Sequence, residues 1–411
     1  MKIIILGLSI TSSWGNGHAT TYRGLIRELS ARGHDVMFLE RDMPWYADNR
    51  DAPRFAHATV GLYRSVTELK RLHREHIRDA DAVIVGSYVP EGATIGAWIL
   101  DTAEGVTAFY DIDTPVTLSK LRDGQLDYLT ATLVPRYHLY LSFTGGPTLR
   151  RIEREFGSPR ARPLYCSVDP HAYFPEDAER TWDLGYLGTY SRDRQSMLDT
   201  LLLQVAGRRP KRRFVVAGAQ YPKSLRWPAN VERFEHLPPS QHRRFYNRQR
   251  FTLNVTRADM VAAGYSPSVR LFEAAACGLP IISDAWPGLE EFFTVGREVL
   301  VAGSTGKVLS LLEEMSPQRL AKSAPPRARK FSPGIPPPIA PPNWRRICER
   351  PPAPLPFRAR SVKSETGHIS RLRSREKGFP HDRQYRRAAH SFASRERRAR
   401  RARRGIRSVV S

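Results

Sequence analysis

Arg270 and Glu273 stand three residues apart in Ser266-Pro267-Ser268-Val269-Arg270-Leu271-Phe272-Glu273, so on a helix they share a face. Such a pair can hold a phosphate with the guanidinium and sugar hydroxyls with the carboxylate. Ser266 and Ser268 are suited to capping that helix, whose first turn leaves backbone N–H groups unpaired and attracts anions. Asp111 and Asp113 follow the apolar run Val106–Tyr110; on extended chain they share one face and are candidates for acid–base work or for hydrogen bonding to a substrate. Farther along, Gly188 permits close backbone approach, and Arg192 or Arg194 just beyond it can pair bidentately with a diphosphate.

The elements that must position these residues alternate. Ile3–Leu8 reads as a buried parallel strand, followed by the loop Ser12-Ser13-Trp14-Gly15-Asn16-Gly17-His18 and a helix Ala19–Arg32. This is a mononucleotide-type start. It lacks the third glycine of the dinucleotide fingerprint, and Glu40 at the end of strand Asp35–Glu40 is slender support for a hydride-transferring enzyme. Strands are expected at Ala82–Val85, Val106–Tyr110 and Leu139–Phe143, and the pattern restarts at Leu184–Gly188 with Phe214–Ala217, Val231–Leu237 and Phe251–Val255. The helix Val269–Cys277 stops at Gly278-Leu279-Pro280 before a strand Ile281–Asp284. In open α/β sheets ligands bind beyond the carboxyl ends of strands, where all of these polar groups fall.

The stretch 263–291 resembles the donor-site signature of GT-B glycosyltransferases, and most closely the spore-maturation CgeB/YkvP-like branch. The segment Tyr165-Cys166-Ser167-Val168-Asp169 with Tyr173-Phe174-Pro175 is similar to that family's interdomain connection. The resemblance implies an α/β GT-B fold of two Rossmann-like domains facing a cleft: an acceptor domain 1–165, a linker 166–175 and a donor domain 176–315. It implies transfer of a sugar from a nucleotide-diphosphate sugar to a hydroxyl of a glycan, lipid or small-molecule acceptor, with no metal and no cofactor beyond the donor. Glu273 would bind the ribose, while Gly15 and Gly17 would let the backbone approach the donor phosphates. His18 would donate to a phosphate or act as a base, and Asp111 or Asp113 would serve the acceptor. Gly188, Arg192, Ser266, Ser268 and Arg270 complete the expected donor site. Asp111-Ile112-Asp113 is also the D-x-D pattern by which GT-A transferases hold a divalent metal, but two Rossmann-like halves favour GT-B. Retaining members carry a second glutamate eight residues before the first, where this chain has Tyr265.

The charge is unevenly placed. The formal net charge is +24, yet 26 Lys/Arg against 5 Asp/Glu lie from Ser316 onward, leaving 39 against 36 in residues 1–315. The body therefore does not call for a nucleic-acid groove, and a nucleic-acid or acidic-surface binder would act through the tail. That tail, 316–411, holds 14 of the 32 prolines and is expected to be disordered. It contains no recognisable counterpart of the closing helices of GT-B relatives, which raises the alternative of an impaired enzyme. Cys166, Cys277 and Cys348 have no paired spacing, and no apolar run is long enough to span a bilayer, so a cytoplasmic protein is expected.

Overall fold

A computed structural model describes residues 1–14 and 16–314; the expected tail and Gly15 lie outside the described residues. Seven strands, β1 (Lys2–Gly7), β2 (Asp35–Arg41), β3 (Thr59–Tyr63), β4 (Ala82–Gly86), β5 (Val106–Asp111), β6 (Leu139–Ser142) and β7 (Ala161–Pro163), form one sheet in the order β3-β2-β1-β4-β5-β6-β7. Six more, β8 (Trp182–Leu187), β9 (Phe214–Ala217), β10 (Val231–Phe234), β11 (Gln249–Asn254), β12 (Ile281–Ser283) and β13 (Val299–Val301), form a second in the order β10-β9-β8-β11-β12-β13. Neighbours pair in parallel throughout, from Ile3 against Val36 and Ala82 to Phe251 against Leu184. Central parallel strands are covered on both faces by helices, which is why β1, β4 and β9 read as unbroken apolar runs and are buried.

Each sheet reverses its direction of winding once, between β1 and β4 in the first and between β8 and β11 in the second. These switch points open crevices at the strand ends. The connector between the sheets is part of the packing: Tyr165, Cys166, Val168 and Tyr173 belong to one buried apolar cluster with Leu271, Phe272 and Phe292. Polar contacts join the lobes beside it. The Gly145 N–H donates to the Tyr265 carbonyl at 2.9 Å, and the Cys166 thiol to the Pro267 carbonyl at 3.4 Å. Tyr265 itself holds a left-handed φ of 49°. Its ring sits so close to Gly146 of the first lobe and Gly288 of the second that an added Cβ would come within 2.4 and 2.5 Å of it.

Candidate functional site

The end of β11 is fixed by a buried polar network. Asp284 accepts from the Thr256 N–H and, at 2.8 Å, from the Thr256 hydroxyl, while Ser268 donates to Asn254 at 2.8 Å. Burial pushes the Asp284 carboxyl upward, against the hydrogen bonds from Thr256 and Ser283. Arg257 leaves this anchored end, and Asp193, in the first turn of the helix Arg192–Leu198 that follows β8, ties down the next residue by accepting the Ala258 N–H at 2.9 Å. Gly188, at the end of β8, has no room for a side chain: a Cβ would lie 2.5 Å from the Tyr186 hydroxyl.

Around this crevice the second lobe gathers guanidinium groups. Arg270 donates to the Val255 carbonyl at 3.3 Å and lies 5.7 Å from the Tyr186 ring centroid. Arg194 donates to the Thr189 carbonyl at 2.7 Å; burial lowers its pKa, and the charges of Arg270 and Arg257 lower it further. Arg233 lies 3.8 Å from the Trp227 and 4.4 Å from the Tyr221 ring centroid, in the corner made by the two rings, which meet edge to face. The Nε atoms of Arg194, Arg233, Arg257 and Arg270 are all buried with no hydrogen-bond partner among the described residues. A buried donor left unmatched costs about 1–3 kcal/mol, so several together mark a place built for an anion.

The first lobe answers with a carboxylate. Asp113 accepts the Tyr88 hydroxyl at 2.8 Å, and the same oxygen lies 4.0 Å from Arg257 of the other lobe. Tyr88 follows β4 with a φ of 65°, a conformation unusual for an aromatic residue and a mark of local constraint. The His18 ring centroid is 5.4 Å from that of Tyr88, and its Nδ1 is buried without a partner among the described residues. Burial lowers the His18 pKa to about 4 against the opposing pull of Asp113, so the ring is neutral at pH 7 and a weaker base than a free imidazole.

Several expected residues sit elsewhere. Asp111 and Asp113 do not share a face, because the chain turns between them and the Asp113 N–H folds back onto Asp111 at 3.2 Å. Asp111 is fully buried, accepts from Tyr140 at 2.6 Å and Thr117 at 2.7 Å, and is raised by burial to about 6 despite those bonds. Ser268 stands at the N-cap of the helix Val269–Ala276, but its side chain makes no capping bond and donates to Asn254 instead; Ser266 pairs with Thr144 of the first lobe at 2.9 Å. Glu273, 3% exposed, accepts from Tyr173 at 2.9 Å and Tyr246 at 2.8 Å and lies 3.8 Å from His242. Burial alone would raise its pKa, but His242 and the two tyrosines bring it below the usual carboxylate range. A ribose hydroxyl would therefore compete with partners already in place.

Arg192 opens its helix exposed to solvent, and the arginine turned inward is Arg194. Gly17 is exposed, with an ordinary φ of −63° and no protein atom within 4 Å of an added Cβ. The carboxylate of Glu40 is consumed by Ser9, Ile10 and Thr11, which leaves nothing for a dinucleotide ribose. Tyr88 and Arg257 escape sequence reasoning, since what singles them out is a backbone torsion and an approach across the cleft.

Two parallel Rossmann-like sheets with a packed connector make this a GT-B fold. Residues 194–330 match a family described as glycosyl transferase-like. Similar solved structures include the sucrose-phosphate synthase of Thermosynechococcus elongatus, 12% identical over 79% of this chain and 92% of that one, with a TM-score of 0.55. Anabaena HepE in complex with UDP-glucose is 12% identical, with the same coverage and a TM-score of 0.56. An alpha-glucosyltransferase in complex with UDP-glucose and DNA containing an abasic site is 13% identical over 79% of this chain and 93% of that one, with a TM-score of 0.58. No curated protein matches the chain in sequence. Among the described residues, no helix is long and apolar enough to cross a membrane.

Proposed function

We propose that the protein is a cytoplasmic, CgeB/YkvP-like glycosyltransferase that moves a sugar from a nucleoside-diphosphate sugar to an acceptor hydroxyl. The carrying observation is the set Arg194, Arg257 and Arg270, with buried unmatched Nε donors at the ends of β8 and β11, facing His18, Tyr88 and Asp113. A leaving diphosphate gains charge as the glycosidic bond breaks. Guanidiniums fixed in place before the reaction meet that charge without reorganising, and no metal ion is then required. Asp113, oriented by Tyr88, takes the acceptor proton.

Glu273 keeps its helix in register with the connector in this reading, so that Arg270 reaches the crevice. A uridine nucleotide is the first donor to try, because the neighbouring structures hold UDP and UDP-glucose. Any nucleic-acid contact is assigned to the tail. Thermal stabilisation and hydrolysis across a panel of nucleotide sugars test the proposal. Stabilisation by one nucleoside diphosphate, lost in Arg270→Ala, is expected, and indifference to the whole panel contradicts it.

A further inference from the structure

A second hollow, about 620 Å³ in volume, lies between the lobes. The first lobe contributes Pro115 and Leu118 from the helix Thr114–Arg122 and three arginines from the helix Pro147–Phe156; the second contributes Asp259 and Ala262 from the helix Ala258–Ala263. Its lining residues neighbour the proposed reaction centre in sequence: Pro115 is two residues past Asp113 and Asp259 two past Arg257. Its size suits one small molecule.

The arginines are unequally employed. Arg151 donates to Glu155 at 3.0 Å, and Arg122 takes the same carboxylate oxygen, so that acid is already matched. Arg150 and Arg154, both exposed, make no ion pair or side-chain hydrogen bond among the described residues. They are four residues apart on a helix, so their side chains lie over the same patch and repel one another. Asp259 and Glu155 also line the hollow, but neither lies within 4.0 Å of Arg150 or Arg154, and Glu155 is taken by Arg122 and Arg151. Two adjacent guanidinium forks not paired with a carboxylate match a dianionic tetrahedral group better than a single carboxylate, because each fork can engage two oxygens.

We propose that this hollow holds the acceptor and that the acceptor carries a phosphate monoester, bound by Arg150 and Arg154 with its hydroxyl turned toward Asp113. The proposal rests on the glycosyl-transfer reading for the word acceptor, but the anion site stands or falls separately. The phosphate can belong to a soluble sugar ester or to a lipid headgroup.

The test is calorimetric titration of the full chain with glucose 6-phosphate, glucose and UDP, and co-sedimentation with phosphatidylcholine vesicles with and without phosphatidic acid. Glucose 6-phosphate is expected to bind at least about tenfold more tightly than glucose, with affinity falling as salt rises. Arg150→Gln/Arg154→Gln is expected to lose at least about tenfold for the ester while its affinity for UDP is unchanged, and Arg150→Lys/Arg154→Lys to fall between, keeping charge but not the fork. Preference for phosphatidic acid vesicles over the soluble ester assigns the phosphate to a lipid, and the reverse preference to a small metabolite; either upholds the site. Equal binding of glucose and its phosphate, or wild-type affinity in the Gln variant, overturns it, as does tighter arginine-dependent binding of duplex DNA than of any phosphate ester. If the ester binds as expected but UDP does not, the anion site survives and the glycosyl-transfer reading fails.

Discussion

Beyond the ends of β1, β4 and β5 the first lobe presents the neutral ring of His18, Tyr88 and Asp113; beyond the ends of β8 and β11 the second presents Arg194, Arg257 and Arg270. The two crevices occupy corresponding places in sheets of the same winding, so the backbone does not explain the difference. Side-chain chemistry does. One lobe offers acceptors for a proton, the other fixed donors for an anion, and Asp113 and Arg257 meet across the gap at 4.0 Å. Two sheets of like winding thus face each other with unlike side-chain chemistry.

The sharpest break of this contrast is Asp113→Asn. Turnover is expected to fall by about 10² to 10⁴, the usual worth of a positioned base, with donor affinity little changed because the donor is held by the opposite lobe. Steady-state kinetics separating kcat from donor KM checks this. A loss confined to donor KM would move Asp113 to the wrong side of the comparison.

Glu273→Ala separates holding from binding within the second lobe. It removes a buried carboxylate from Tyr173, Tyr246 and His242 and is expected to cost about 3–5 kcal/mol of stability, read from denaturant midpoints. The more conservative Glu273→Gln is expected to leave UDP affinity within a few-fold. The pair also sets a pH signature. Glu273 is held below the carboxylate range, so its contribution is present at neutral pH and lost only as acid protonates it. His242 is pulled down by burial but raised on balance by Glu273, so its contribution is present below its ordinary 6.5 and lost as the pH rises through its higher folded value. Wild-type stability is expected to decline on that alkaline side, and Glu273→Gln to flatten the decline.

Asp111 behaves in the opposite sense to Glu273. Its folded pKa of about 6 exceeds the ordinary 3.8, so the fold prefers it protonated and gains stability as the pH drops through that interval, by about 3 kcal/mol in full. Asp111→Asn is expected to remove that slope from melting curves taken between these values. A smaller effect is expected at the seam. Gly146→Ala would drive a methyl into the Tyr265 ring at a φ of 57°, costing about 1–3 kcal/mol by overpacking. Unchanged stability would show that the lobes are free to separate there.

Much of the fold was legible because buried parallel strands must be apolar throughout: KIIILG, AVIVG and FVVA announce β1, β4 and β9. β3 escaped notice because it lies at the sheet edge and is mostly not buried, and β13 because it is three residues long. The candidate site was partly legible. Type and position single out Arg270 and Asp113, but the turn that sends Asp111 inward and Asp113 outward depends on Tyr140 and Thr117, which no local pattern connects to it. Arg192 and Arg194 look alike in sequence; the helix start leaves one exposed and turns the other toward Arg270. Glu273 carries the strongest family resemblance and the most complete set of protein partners. Only the tertiary placement of Tyr173 and Tyr246 shows that its carboxylate is already in use.

The central claim is that the second lobe's guanidiniums form the receptor for a nucleoside diphosphate. Titration of UDP into the full chain and into Arg194→Ala/Arg270→Ala tests it most directly. The account predicts salt-sensitive binding by the native chain and at least about a hundredfold weakening in the double variant, whose melting temperature stays near that of the native chain. Equal UDP affinity in both proteins would contradict it.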